Sequence, residues 1–500
     1  MMRQKLAGPF LLFVLSFFAP ATERPVVYLR LTDSLTIDPG RIEDSYSQEV
    51  IFNVFEGLTR LRPDRMETEP CLAERWLTRE DGRHWIFYLR RGVTFHNGAP
   101  FSARSVVYSF KKRLAKRTGE YLSFGRFFPY ILDVRALDDW TVEFLLSRPY
   151  SQFPLALVDQ RASIVAPGSC DGPQFKPVGT GPFVLSEWVR GKSMVLIRFD
   201  RYWHRPAKLA KVVIKYEPNA ATRLAQIKNH GADIDFLKSA KEYDELLGRT
   251  DIAIISEPKL STHFLGFNCR KAPFSSLPAR QAIFHLLDRK IMVKQVFQNF
   301  AIPASSMLPP NSPGFNARIG GDDFSPEKAR KLLRQAGLGD GFSCRLYYSE
   351  GQFGLEDVAS VIATNARQIH IAVKRIRLPF AELMRAVREG EPDMFLLGWG
   401  FAADPGVHMN PMFMLYPGRR ESTMSASPEF VGLLAQAEAS ADDSQRGGIY
   451  DAAQLRLHED MPLIPLFYLN QVLAYNKRLR GLRMNPFGFL IFKDVYLGRD

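Results

Sequence analysis

The sequence predicts an α/β or α+β chain folded as two or three lobes, and three observations predict it. Five hundred residues exceed what one hydrophobic core normally supports. A hydrophobic fraction of 46% with 24% charged residues is that of an ordinary globular protein, which excludes disorder for most of the chain. Strand-like and helix-like patterns alternate irregularly along its length.

The first element is a targeting segment. Arg3 and Lys5 precede the apolar run from Phe10 to Phe18, and Ala19-Pro20-Ala21 supplies a small-residue cleavage site, so residues 1–21 read as a secretory signal peptide. No cysteine follows the run, which speaks against a lipid anchor. No later run approaches the ~18–20 apolar residues of a membrane span. The formal charge is +13, or +11 once Arg3 and Lys5 leave. Its densest cluster, Lys111-Lys112-Arg113 with Lys116-Arg117, shares a helix with Val106, Phe110 and Leu114, and reads as a solvated face opposite a core face. A nucleic-acid partner is therefore not expected. Cys71, Cys170, Cys269 and Cys344 form no C-x-x-C pair, so zinc ribbons and dithiol redox chemistry lack support. Export permits disulfides among them in three pairings, and four free thiols are equally compatible.

Residues 83–95 alternate through Trp85, Phe87 and Leu89 as a half-buried strand, and Asn97-Gly98 makes a turn before a helix capped by Ser102. Residues 140–146 form another strand, and 183–199 a hairpin turning near Gly191. Gly191-Lys192-Ser193 resembles the end of a phosphate loop, but Ser186 stands where the first glycine belongs and a β-period follows. Ser325, Pro326 and Gly337 frame a helix whose Ala329, Leu332, Leu333 and Ala336 line one face. Further helices are predicted over 278–298, 354–369, 381–389, 428–440 and 444–460, a rigid loop over 309–314, and a strand over 463–469.

Residues 395–406, FLLGWGFAADPG, contain G-x-G-x-x-A after a strand-like run. A dinucleotide loop must lead straight into a helix, yet Pro405 and Gly406 break one and Trp399 would obstruct the backbone. No H-E-x-x-H or G-x-S-x-G motif occurs, His84 and His96 make a weak metal pair, and Asp442-Asp443 falls in a loop. Neither a catalytic site nor a cofactor is indicated.

Several segments in order carry a resemblance: Leu35 to Pro39, Phe55-Glu56-Gly57-Leu58, Pro70 to Trp76, Phe87 to Pro100, Gly179 to Phe183, Arg201-Tyr202-Trp203, Phe267-Asn268, Arg280-Gln281-Ala282, and the helix after Ser325. With them, nearly all of the chain beyond residue 35 resembles the large extracytoplasmic solute-binding proteins that deliver oligopeptides, dipeptides or nickel complexes to ABC importers. The resemblance implies an α/β, two-lobed periplasmic binding fold with mixed sheets and a hinge. Lobe I would take 22–59, 177–258 and 465–500, an inserted domain 60–176, and lobe II 259–464. It implies a periplasmic, monomeric, non-enzymatic protein whose partners are a small solute or short peptide and an inner-membrane ABC permease complex.

FLLGWGFAADPG is then similar to the family's G-W-x-x-D-x-x-D-P segment beside the ligand. In peptide-binding relatives the aspartate three residues after the tryptophan pairs with the peptide ammonium. Here that position is Ala402, leaving Asp404 either to take the role or to act as a structural aspartate before proline. Leu396 stands where some relatives place a basic residue. The resemblance assigns Glu43, Asp44, Ser45 and Tyr46 to the lobe I side of the ligand, Trp399, Gly400, Phe401, Ala402 and Asp404 to the lobe II side, and Tyr121 to a wall. The rivals are a non-peptide solute (metal complex, opine or sugar-like) on the same fold, a secreted cleft enzyme, and a basic protein binding an anionic polymer.

Overall fold

A computed structural model describes residues 24–63, 65–79, 82–171, 174–321, 324–400, 403–409 and 427–498, so the signal peptide expected over 1–21 lies outside them. Its spine is one mixed sheet in which twelve strands are joined in two halves. In the first half Val26–Arg30 lies parallel between Lys211–Tyr216 and Ile234–Leu237, with the hairpin Phe183–Val189 and Ser193–Arg198 extending one edge. In the second, Phe342–Ser349 runs parallel to Ile371–Leu378 and Met394–Gly400, and Met394–Gly400 pairs antiparallel with Ser261–Phe267.

Two chain crossings join the halves. Ile252–Pro258 turns through Lys259 and Leu260 into Ser261–Phe267. Leu463–Asn476 is one long strand that pairs with the second half through Leu469 and with Ile234–Leu237 and Ile252–Pro258 from Asn470 onward. The sequence places only 463–469 in this strand and the return to lobe I at 465. The apolar run ends at Leu469, but Val472, Leu473 and Ala474 are buried too and carry the ladder on.

Apolar burial follows that layout. On one face of the first half Val26, Tyr28, Ile214 and Phe236 pack beneath helix Ser45–Val54. On the other, Val27, Leu29 and Leu237 belong to a cluster that runs unbroken into Leu265, Phe267, Phe297 and Phe467 of the second. The lobes thus share a core on one side of the hinge. Leu58 and residues between 71 and 166 build a separate core around a four-stranded antiparallel sheet, with Trp85, Phe87 and Leu89 inward as their alternation predicts.

Local signals place most helices. Ser325 caps Pro326–Gln335 by accepting from the Lys328 amide, and Asp442 caps Asp443–Asp460 through Gln445. The helix expected over 278–298 is two, Leu277–Phe284 and Arg289–Phe297, the second capped by Asp288. The aspartate side chain satisfies the Ile291 amide and so starts a new helix instead of continuing the old one. The basic helix Ala103–Ala115 departs from a uniformly solvated face. Lys111, Lys112 and Lys116 do pair with acids at the surface, but Arg113 is 1% exposed and its Nη1 donates to the Arg161 carbonyl.

Candidate functional site

Ligands of open α/β sheets bind beyond the carboxyl ends of the parallel strands, where connections diverge to either side. In the first half that edge is formed by Arg30, Tyr216 and Leu237, with the hinge beside it. Arg30 is buried, its guanidinium 4.8 Å above the Tyr46 ring and 3.6 Å from the Glu49 carboxylate. Glu49 also accepts from the Tyr28 hydroxyl at 2.9 Å and the Leu490 amide at 3.1 Å, so its charge is well satisfied.

Asp44 caps the Ser45–Val54 helix through the Ser47 amide at 2.8 Å, with Ser45 the first helical residue. Glu43 is exposed, Ser45 and Tyr46 are half-buried, and burial raises the Tyr46 phenol pKa. Residues 43–46 therefore enter the helix directly above the strand edge. Tyr121 lies elsewhere. It is 2% exposed, its hydroxyl donates to Asp38 at 3.1 Å, and a Cβ on Gly40 would sit 2.6 Å from its ring. This geometry joins the inserted domain to the segment before the helix.

From the second half, Trp399 and Gly400 reach the hinge by pairing with Thr262 and Ser261. Their glycines are explained by close approach. A Cβ on Gly398 would lie 2.6 Å from His263 Nε2, and one on Gly400 would lie 2.5 Å from the Leu260 carbonyl oxygen. Trp399 is half-buried, its Nε1 donating to the Val407 carbonyl at 3.3 Å. Phe401 and Ala402 lie outside the described residues.

Asp404 has partners for its whole carboxylate. It is 4% exposed and accepts from the amides of Gly406 at 2.6 Å and Val407 at 3.3 Å, starting the short helix Pro405–Met409, and from the Tyr150 hydroxyl. Burial raises its pKa, opposed by these hydrogen bonds. Around it the inserted domain meets lobe II again: Arg148 lies 3.1 Å from Glu438, and the Ser151 amide donates to the Glu438 carbonyl at 2.7 Å. Of the two roles left open for Asp404, this is the geometry of the structural one.

Three cationic or ionisable groups at the hinge were not singled out from sequence. Lys238 directly follows strand Ile234–Leu237, and Lys259 stands in the first crossing, its amide donating to the Leu469 carbonyl. His263 stacks on Phe467 at 4.8 Å. Burial and then the Lys238 charge push Lys259 down to about 7, while burial and then Lys259 push His263 down to about 3. Burial lowers Lys238 as well. The available signal was position: a lysine after Pro258, at the boundary between lobes, and another at a strand end. No group of three His, Cys, Asp or Glu side chains able to hold a metal occurs among the described residues, and no described helix is long and apolar enough to cross a membrane.

Comparison with known proteins gives a consistent result. Residues 67–420 match the family model of the bacterial extracellular solute-binding proteins, family 5 Middle. The chain is 25% identical to the dipeptide-binding protein of Escherichia coli K12 over 88% of each chain. It is also 25% identical to heme-binding protein A of Haemophilus influenzae, over 88% of this chain and 86% of the relative. The periplasmic binding protein DppA of Helicobacter pylori, solved with the peptide STSA, superimposes with a TM-score of 0.80 at 26% identity, over 95% of this chain and 98% of that one.

Proposed function

The chain belongs to the bacterial extracellular solute-binding proteins, family 5, and on that premise we propose that it is the periplasmic solute-binding subunit of an ABC importer for a peptide or peptide-like solute. The observation that carries this reading is the convergence of both lobes on the hinge: the helix entry at 43–46, the strand edge at Arg30, and the Trp399–Gly400 end of lobe II. The lobes would close on a solute there by bending at the two crossings, while the apolar cluster shared across the hinge stays intact. The closed face would engage the inner-membrane permease. The work is binding alone, and the monomer suffices for it. Glu43, Ser45, Tyr46, Trp399, Gly400, Phe401 and Ala402 are proposed as ligand contacts. Asp44, Tyr121 and Asp404 are proposed as supports, since their polar atoms are already occupied.

A non-peptide solute is the second reading, favoured by one observation. The family's ammonium-binding aspartate is Ala402 here, and Asp404 is engaged by Tyr150 and its own helix. Native mass spectrometry of protein purified without refolding, followed by denaturation and identification of the released molecule, tests both. A peptide mixture supports the first reading and a single non-peptide species the second. Retention of nothing, with no response to a peptide and metabolite panel, would count against solute capture altogether.

A further inference from the structure

Lysine ammonium groups surrounded by protein are normally paired, because an uncompensated charge out of water is costly. Lys238 and Lys259 are not. Among the described residues neither ammonium has a carboxylate within ion-pair distance. Asp235, the carboxylate acting most on Lys238, and Glu242 are held by Arg223 at 3.3 and 2.9 Å, and Glu49, whose charge reaches both lysines, is held by Arg30, Tyr28 and the Leu490 amide. Yet Lys238 is exposed and Lys259 half-buried by surface area. Groups that keep solvent access and still feel desolvation and each other's charge line a cleft.

Strand register fixes which cleft. Leu237 and Ser256 both pair with Val472, from opposite sides of the long hinge strand. Lys238 and Lys259 therefore flank that strand where it passes from one lobe to the other. Gly400 packs on Leu260 and Ser261, which brings the Trp399 end of lobe II to the same place. Beneath them His263 lies between Phe467 and Gly398. One wall of the inter-lobe space thus carries two ammoniums that no carboxylate meets at ion-pair distance among the described residues.

We propose that Lys238 and Lys259 form an anion-receiving subsite on the hinge wall, so that the captured solute presents a carboxylate or phosphate group to both ammoniums. This rests on the solute-binding reading and narrows it to anionic solutes. Charge-assisted bonds to a bound anion would satisfy the two lysines only in the loaded form.

The test uses the full mature protein with lysines reductively methylated by carbon-13 formaldehyde and followed by NMR, the two resonances being assigned with Lys238→Arg and Lys259→Arg. Lys259 is expected to titrate near 7, below the exposed lysines. Glutamate, casein-derived peptides and inorganic phosphate are then added singly. At least one should raise both lysines by about one pKa unit, which corresponds to a roughly tenfold preference for the protonated form. The Lys238→Met, Lys259→Met double variant, with Lys→Gln versions as a check on folding, should hold the co-purified solute at least about tenfold more weakly.

Lysines that titrate with the exposed set, or that none of the three anions moves, overturn the subsite. So does a solute held equally by wild type and double variant, which would leave the import reading standing. A wild-type protein that retains no solute and responds to no peptide or metabolite of the panel, while phosphate alone shifts both lysines, would instead overturn the import reading and keep the subsite.

Discussion

Two regions where the lobes meet differ in how their charges are treated. At the Tyr150–Asp404 contact every buried oxygen of Asp404 has a donor, and Glu438 beside it has Arg148. At the hinge wall Lys238 and Lys259 feel carboxylates only from beyond ion-pair distance among the described residues, and those carboxylates are held by arginines. Each region joins a residue of lobe II or the hinge to one of lobe I or its insertion. The difference teaches how to separate support from recognition: a satisfied buried charge holds the protein's own parts together, and an unsatisfied one is poised for something else.

The largest effect expected from this contrast is at Asp404. Replacement by alanine removes a helix cap and takes the carboxylate acceptor from the buried Tyr150 hydroxyl, a loss of about 2–4 kcal/mol of stability. Urea unfolding should show it, while solute affinity per folded molecule stays within about twofold, well under the tenfold step of a lost charged contact. A large affinity loss with an unchanged midpoint would return Asp404 to the ligand and collapse the comparison.

Next comes pH. Burial lifts Glu438 to about 7, above its ordinary value, with Asp404 adding to the rise and Arg148 opposing it. The folded protein then holds a proton that the unfolded chain releases between about 4.5 and 7. Stability from this group is fully present below that window and is lost as pH rises through it. Glu438→Gln should flatten the dependence between pH 5 and 8 by about 1–3 kcal/mol. An unchanged slope would show that the contact does not bury the carboxyl as deeply as the 14% exposure of its side chain implies.

The unequal legibility of the two regions has a physical origin. Helix Pro326–Gln335 was readable because Ser325, Pro326 and Gly337 act within a turn of their targets. The strand around Phe87 was readable because alternation is local. The split at Asp288 was missed since an aspartate inside an apolar pattern can be either surface or cap. Asp404 could be narrowed to two roles, but its partner Tyr150 is 254 residues away and no spacing announces it. The glycines around Trp399 were legible as a motif, but their cause, close approach to His263 and Leu260, was not. Lys259 was invisible for the opposite reason: a lone lysine between two strands looks like any surface charge until register shows that it sits at a crossing.

A smaller effect sharpens the same comparison. Tyr150→Phe removes one donor to Asp404 and leaves the two amide bonds of its cap, so about 1–2 kcal/mol should go. If the loss equals that of Asp404→Ala, the hydroxyl and not the cap secures the contact.

The smallest effect expected is that of reductant. Cys71 and Cys344 are buried, Cys170 and Cys269 half-buried, and none of the four is in a disulfide. Cys71 belongs to the core of the inserted domain and Cys170 packs against that of the first sheet half, so neither can reach another without moving a separate core. Cys269 and Cys344 share the core that spans the hinge and still remain unbridged. Unfolding midpoints with and without dithiothreitol should therefore agree within about 0.5 kcal/mol, against the roughly 2–5 kcal/mol of a structural disulfide. A larger shift would mean that the exported protein carries a bridge, most economically Cys269 to Cys344. That bridge would lie within the apolar cluster that is proposed to stay intact as the lobes close, so it would raise stability without blocking closure at the two crossings.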